Sequence, residues 1–399
     1  MGARLTIDVA ERRARLGCRH RLRAASRANS PEEVVESMIG LHATDPSSVF
    51  LSARARLRDG AVSAIEAALY DHRSLVRMLG MRRTMFVVRA DMAPVVHAAC
   101  TRAIAHGLRR RYVQFLGEAG VANRPSEWFA SVEDATLAAL DRLGEATAQE
   151  LSREVAELRT RVHVAPHKSY TAEQNITNWV LTVLAAQGRI VRGRPRGSWV
   201  SSQYRWAPIH AVFAHGLPEL AATEAQRILI EAWLRAFGPG TLNDIRWWTG
   251  LTMGEVRRAV ASLDTVEVDL GEWTGVILAD DVARVAPREP WAVLLPALDP
   301  TPMGYADRTW YLGPHGEQLF DRSGNIGPSV WWDGRIVGGW VQRRDGRIAW
   351  KLLEDLGHDA ERRVEAEAHD LEEWLGEVRV TPRFRTPLER ELSGTSTAD

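Results

Sequence analysis

Apolar residues recur mostly at helical spacing along the chain, and the helices they predict are short, capped and closely spaced. SPEEVVESMIGL opens on Ser30 as N-cap, Pro31 at the first helical position and Glu33 as reciprocal cap, and ends near Gly40. After His42, Ala43 and Thr44, the pair Asp45-Pro46 repeats the cap-then-proline signal and opens a helix through VFLSARARL. His42 and Thr44 therefore fall in a tight corner between two helices. Further on, TAQELSREVAEL has Thr147 and Glu150 at capping-box spacing, and TAEQNITNWVLTVLAAQG has Thr171 and Gln174 likewise, closing at Gly188. A turn-rich, strand-like hairpin follows in RIVRGRPRGSWVSSQYRWA.

Two short helices and a hairpin make the pattern of a winged helix. The pattern recurs: TLNDIRWWTG and TMGEVRRAVASL read as the two helices of a second unit and VEVDLGEWTGVIL as its hairpin. The N-terminal region is a candidate third. From Pro290 onward WAVLLPALDP, RTWYLG and SVWWDGRIVGGWVQRRDGRIAWKLL are β-rich, with Asp333-Gly334 and Asp345-Gly346 as hairpin turns, so a small sheet or barrel is expected. A helix through AERRVEAEAHDLEEWLGEV and a basic strand in RVTPRFRTPLERELS complete the reading. The fold class is mainly α with β, an α+β arrangement of tandem winged-helix units plus a C-terminal β-barrel-like domain. The expected domains are 1–130, 131–215 with a basic wing, 216–288 with an acidic wing, and 289–399.

Composition adds bounds. A chain of 399 residues exceeds what one core usually organises. No apolar run approaches the roughly 18 residues of a membrane span, and the first residues lack the apolar stretch of a signal peptide, which points to a cytoplasmic, nucleoid-associated protein. Cys18 and Cys100 are too few for a disulfide framework or a CxxC zinc site. Formal net charge is zero, yet all but two of the 51 basic residues are arginine, the side chain suited to bidentate phosphate and base contacts. The stretch from Asp8 to Arg27 is a strongly basic helical segment. Residues 189–205 hold Arg189, Arg192, Arg194, Arg196 and Arg205 with no acid, whereas residues 264–281 hold six acids and no base. A polyanion is drawn to the first wing and repelled by the second, so a neutral chain can present one basic face.

Motifs of common enzyme classes are missing: there is no GxxxxGK[ST], HExxH, GxSxG or GxGxxG stretch. His97 and His106 fall in one helical region, but Pro166 separates His163 from His167, so no metal site and no cofactor are expected.

Four stretches, GLHATDPSSVFLSARARL, AFGPGTLNDIRWWTGLTMGEVRRAVASL, LLPALDPTPMGYADR and WWDGRIVGGW, resemble the winged-helix DNA-binding family that includes the AlkZ-like DNA glycosylases. In this order they cover nearly the full chain. The resemblance implies a C-shaped monomer of tandem winged helices plus a β-barrel, with double-stranded DNA in a basic concavity. It also implies removal of N-alkylated, often bulky, purines, in base excision repair or in self-resistance to a genotoxin. Active members carry Gln, an apolar residue, and Gln or Asp where this chain has His42, Ala43 and Thr44. A histidine that often follows an RGTL stretch is replaced by Phe86 in RRTMF.

The chemistry suits these side chains. Alkylation at N7 or N3 makes a purine cationic and hence a good leaving group, so the burden falls on the sugar: a water must be held against C1′ while positive charge develops. An imidazole can accept a proton from that water and a hydroxyl can hold it from a second direction. The catalytic candidates are His42 and Thr44, which share a side only if the segment is locally extended. A backbone-bonded histidine and a threonine assisting the Asp45 cap are the structural alternative. Candidates for DNA contact are Arg82 and Arg83, the five wing arginines, and Arg322 and Asn325 in a Gly-rich segment read as a hairpin insertion. The competing function is a non-catalytic winged-helix DNA binder, either a regulator or a lesion-binding protein.

Overall fold

The computed structural model describes residues 4–164 and 172–394. The chain divides into two compact units, one made of Met1–Ala68 with Gln226–Asp399 and the other of Leu69–Ala225. The cuts at 68/69 and 225/226 give a coarser division than the four domains expected from the sequence pattern. The first unit is discontinuous because its N-terminal helices pack on the last third of the chain, a partnership that local periodicity does not encode.

In that unit the helix Val9–Arg19 starts at Asp8, whose carboxylate accepts from the Glu11 amide. This is the segment read as strongly basic, yet its arginines turn inward. Arg15 is 1% exposed and bonds Glu11, Asp281 and the Ala283 carbonyl, while the Arg12 guanidinium lies 4.1 Å from the Trp310 ring centroid. The helices Leu242–Thr249 and Met253–Ala261 each begin with a reciprocal capping box, Thr241 with Asp244 and Thr252 with Glu255. Their hairpin follows as expected in strands Thr265–Asp269 and Thr274–Leu278, and Leu5–Thr6 adds a third, parallel strand.

The C-terminal region holds an antiparallel meander of four strands, Ala292–Leu295, Ser329–Trp332, Arg335–Gln342 and Ile348–Leu352. The expected barrel does not close: the first and last of these strands are edges, and the helix His358–Leu375 packs against both of them. Four strands are too few to wrap a filled interior, so a helix covers the apolar face instead. RTWYLG, read as β-rich, contributes the helical turn Thr309–Leu312, and the tail read as a basic strand forms the helix Pro387–Leu392. The cause of the latter is a Thr386 cap and Pro387 at the first helical position, a signal that outweighs the alternating charges before it. Trp331, stacked on Tyr311 at 5.6 Å, is core, and Trp332 is half-buried.

The second unit packs the helices Arg102–Glu118, Pro125–Leu143, Ala148–Glu154 and Thr177–Ala186 around Leu116, Phe129, Leu140, Leu151 and Leu184. Its wing is the hairpin Ile190–Pro195 and Tyr204–Pro208, with Ala146–Thr147 as a third strand. A second hairpin pairs Leu75–Leu79 with Met85–Arg89. The helix expected to start near Gln174 starts at Thr177: Ala172–Asn175 is a strand paired with Arg161–Val164, and the Asn175 side chain accepts from both the amide and the hydroxyl of Thr177. Thr171 and His167 lie outside the described residues. Among the described residues no helix is long and apolar enough to cross a membrane.

Candidate active-site corner and nucleic-acid interface

The corner is built as its capping signals require. The helix Pro31–Met38 ends at Ile39, whose φ of 63° turns the chain sharply, and Leu41–His42 is extended. Asp45 caps the next helix, Pro46–Arg54: one oxygen accepts from the Ser47 amide at 3.0 Å and its hydroxyl at 2.8 Å, and the other accepts from the Arg383 amide at 3.0 Å. Asp45 is therefore spent on structure. His42 is 5% exposed, whereas Thr44, at the bend, is half-buried. The extended backbone at His42 is what a shared side for the two groups needs, and Thr44 is the more open of the two.

Below the corner lies a buried polar network that the sequence reading missed. Ser48 donates to the Ala297 carbonyl, Ser52 to Asp299, and Arg56 grips Asp299 through two nitrogens at 2.8 and 2.7 Å, with both members of the ion pair fully buried. Arg56 also donates to the Thr301 hydroxyl, and that hydroxyl meets Nδ1 of His20 at 3.0 Å; Nε2 of His20 lies 3.1 Å from the Ala236 carbonyl. Two of the stretches that carry the family resemblance, around His42 and around Asp299, are thus halves of one device that fixes the helix following the corner. Its signal was present: Ser48, Ser52 and Arg56 recur at i, i+4, i+8 along the helix Pro46–Arg54 and the turn that follows it.

The arginines expected to meet DNA divide by their partners. In the wing of the second unit Arg194 pairs with Asp71 at 2.9 Å, Arg189 with Asp134 at 3.7 Å, and Arg205 with Glu145 at 3.6 Å and Glu150 at 3.9 Å. Arg192 is half-buried over the rings of Tyr204 and Trp206, and burial beside Arg77 lowers its pKa to about 10. Arg196 is exposed and makes no ion pair within 4 Å among the described residues. The acidic wing is balanced in the same way, by Arg4 on Glu267, Arg15 and Arg19 on Asp281, and Arg235 on Asp280.

Arg82 and Arg83 occupy the tip of the Leu75–Arg89 hairpin, both at positive φ, 52° and 62°, with Arg82 half-buried and Arg83 exposed. Two consecutive non-glycine residues in the left-handed region are costly and recur where function demands a particular presentation. Arg322 is exposed on a tight loop after the helical turn Gly316–Leu319, in place of the expected hairpin insertion. Asn325 is used internally: Asp321 accepts from its amide and its side chain, closing that loop.

Fold and site together define a helix-rich scaffold of helix–helix–hairpin modules with the exposed arginines Arg83, Arg196 and Arg322 on loops. A family model described as DNA glycosylase AlkZ-like matches residues 35–374, and the chain belongs to the AlkZ-like DNA glycosylase family. Among solved structures, the Streptomyces sahachiroi DNA glycosylase AlkZ is similar in fold, with a TM-score of 0.72 at 21% identity, over 95% of this chain and 100% of that one. No curated protein sequence matches.

Proposed function

We propose that this member of the family is a monofunctional glycosylase acting as a cytoplasmic monomer, which releases N7- or N3-alkylated purines, bulky adducts included, from duplex DNA without a cofactor. The observation that carries the reading is the rigidity of the His42 corner. Its backbone is held by a capped helix that is itself locked by the Arg56–Asp299 pair, and preorganised polar groups are what stabilise a developing charge most effectively. In the reaction the C1′–N bond breaks with its electrons leaving on the cationic purine, which departs neutral. Water bonds to C1′, and its proton passes to the His42 imidazole and on to solvent, with the Thr44 hydroxyl holding the attacking oxygen. Arg82, Arg83, Arg196 and Arg322 contact the DNA, the last three as exposed cations without carboxylate partners among the described residues.

Duplex DNA carrying N7-methylguanine, N3-methyladenine or a bulky N7-guanine adduct is incubated with the protein, and abasic sites are scored. His42→Ala and Thr44→Ala each lower release at least tenfold, and His42→Gln, which restores the family's residue, keeps it. Unchanged release by both alanine variants removes the pair from the mechanism. The near-complete burial of His42 favours one other reading, a lesion-binding protein without hydrolysis. That reading requires tight binding to alkylated duplex with no abasic sites from the unmodified protein.

A further inference from the structure

A cleft of the second unit, about 730 Å³, lies between the helices Arg102–Glu118 and Pro125–Leu143, the turn at Gly188 and the loop before Leu220. It is of the size that holds a small organic ligand. One wall is a row of cationic and imidazole side chains. Arg102, His106 and Arg109 follow at i, i+4, i+7 on one helix face, and His97 sits on the π-helical turn His97–Thr101 that precedes them. Widened turns of this kind often accompany functional sites.

The charges on that wall are unevenly used. Arg109 is spent on Glu133 at 2.9 Å, but Arg102 makes only a 3.4 Å contact to the Leu220 carbonyl, and no carboxylate pairs with it or with His106 among the described residues. Arg189 enters from the Gly188 turn, half-exposed and, among the described residues, held only by a long pair of 3.7 Å to Asp134. The two walls approach closely there: a β-carbon on Gly188, whose φ is +72°, would lie 3.5 Å from His97 Nε2. Burial, and after it the nearby Arg102, hold the His97 imidazole below its ordinary pKa. The remaining lining is mixed: Leu137, Ile209 and Leu217 are apolar, while Asp141, 4.0 Å from the His210 imidazole, and Glu219 add two carboxylates to it.

A planar carboxylate is satisfied by a single guanidinium fork, whereas donors entering one space from a helix face and from a separate turn suit a tetrahedral anion. We propose that this cleft is a binding site for a phosphate-bearing small molecule of mononucleotide size, with Arg102, His106 and Arg189 on the phosphate and the apolar wall against the ring. The proposal is independent of the chemistry at His42.

Calorimetric titration of the full chain with guanosine 5′-monophosphate, guanosine and inorganic phosphate, each with and without saturating unmodified duplex, tests it. Binding of the monophosphate at least tenfold tighter than the nucleoside, weakened tenfold or more by Arg102→Gln and severalfold by the surface change His106→Gln, and undisturbed by duplex, is the expected result. His106→Gln is exposed, so its folding is not at issue, and circular dichroism checks Arg102→Gln. Absence of heat at millimolar ligand, equal binding by wild type and a folded Arg102→Gln, or displacement of the monophosphate by duplex in a one-to-one manner overturns it; the last outcome makes the cleft part of a polynucleotide track.

Discussion

At the scale of single residues, buried polar groups govern how the corner behaves. The Thr301 hydroxyl accepts from Arg56 and so is left to donate to Nδ1 of His20, whose Nε2–H donates to the Ala236 carbonyl. This arrangement needs a neutral imidazole, and full burial with Arg56 and Arg19 nearby holds the His20 pKa well below 6.5. Because the folded-state value is below the unfolded one, the unfolded chain binds the extra proton as pH falls through about 6.5, and stability drops on acidification by up to about 1.4 kcal/mol per pH unit. Urea unfolding between pH 7.5 and 5 reads this slope, and His20→Gln flattens it. Removing the anion of the network is costlier still. Asp299→Ala strands the Arg56 guanidinium in the interior, and a loss of about 3–5 kcal/mol in the same unfolding experiment is expected.

At the scale of elements, the Leu75–Arg89 hairpin holds backbone strain at its tip. Glycine at either position relaxes the left-handed conformation of Arg82 or Arg83 and raises stability by up to about 1 kcal/mol. The same change removes a cation from the loop, so Arg83→Gly lowers duplex affinity and reduces the slope of log affinity against log salt by about one. Opposite signs in thermal unfolding and in fluorescence-anisotropy titrations mark a strained recognition tip; parallel signs mark a structural turn. Capped helices were the elements most legible from sequence, since cap, proline and apolar face all lie within a few residues. Strand Ala172–Asn175 and helix Pro387–Leu392 were misread because a pairing partner or a cap outweighed the local pattern.

At the scale of the whole molecule, net charge says little about where DNA can be met. The wing arginines looked uncompensated because their acids, Asp71, Asp134 and Glu145, lie 55 to 123 residues earlier in the chain. Arg194→Gln accordingly leaves the salt dependence of duplex binding nearly unchanged, whereas Arg196→Gln reduces its slope by about one, as measured by titration across salt concentrations. Equal effects of the two substitutions would mean that the Asp71 pair opens on binding. The strongly basic N-terminal helix follows the same rule: its arginines are internal cross-links of the first unit and are unavailable to phosphate.

Sequence by itself determined what acts over a few residues: the two capped helices that make the His42–Thr44 corner, the wing hairpin Ile190–Pro208 and the second helix–helix–hairpin module. It also contained the stretches that mark the family. Tertiary structure alone decided which charges are spent and which remain, that Arg56 and Asp299 meet beneath the corner, and that the last strands stay an open sheet. Ion pairing and burial depend on distances between remote segments, and linear spacing does not encode those.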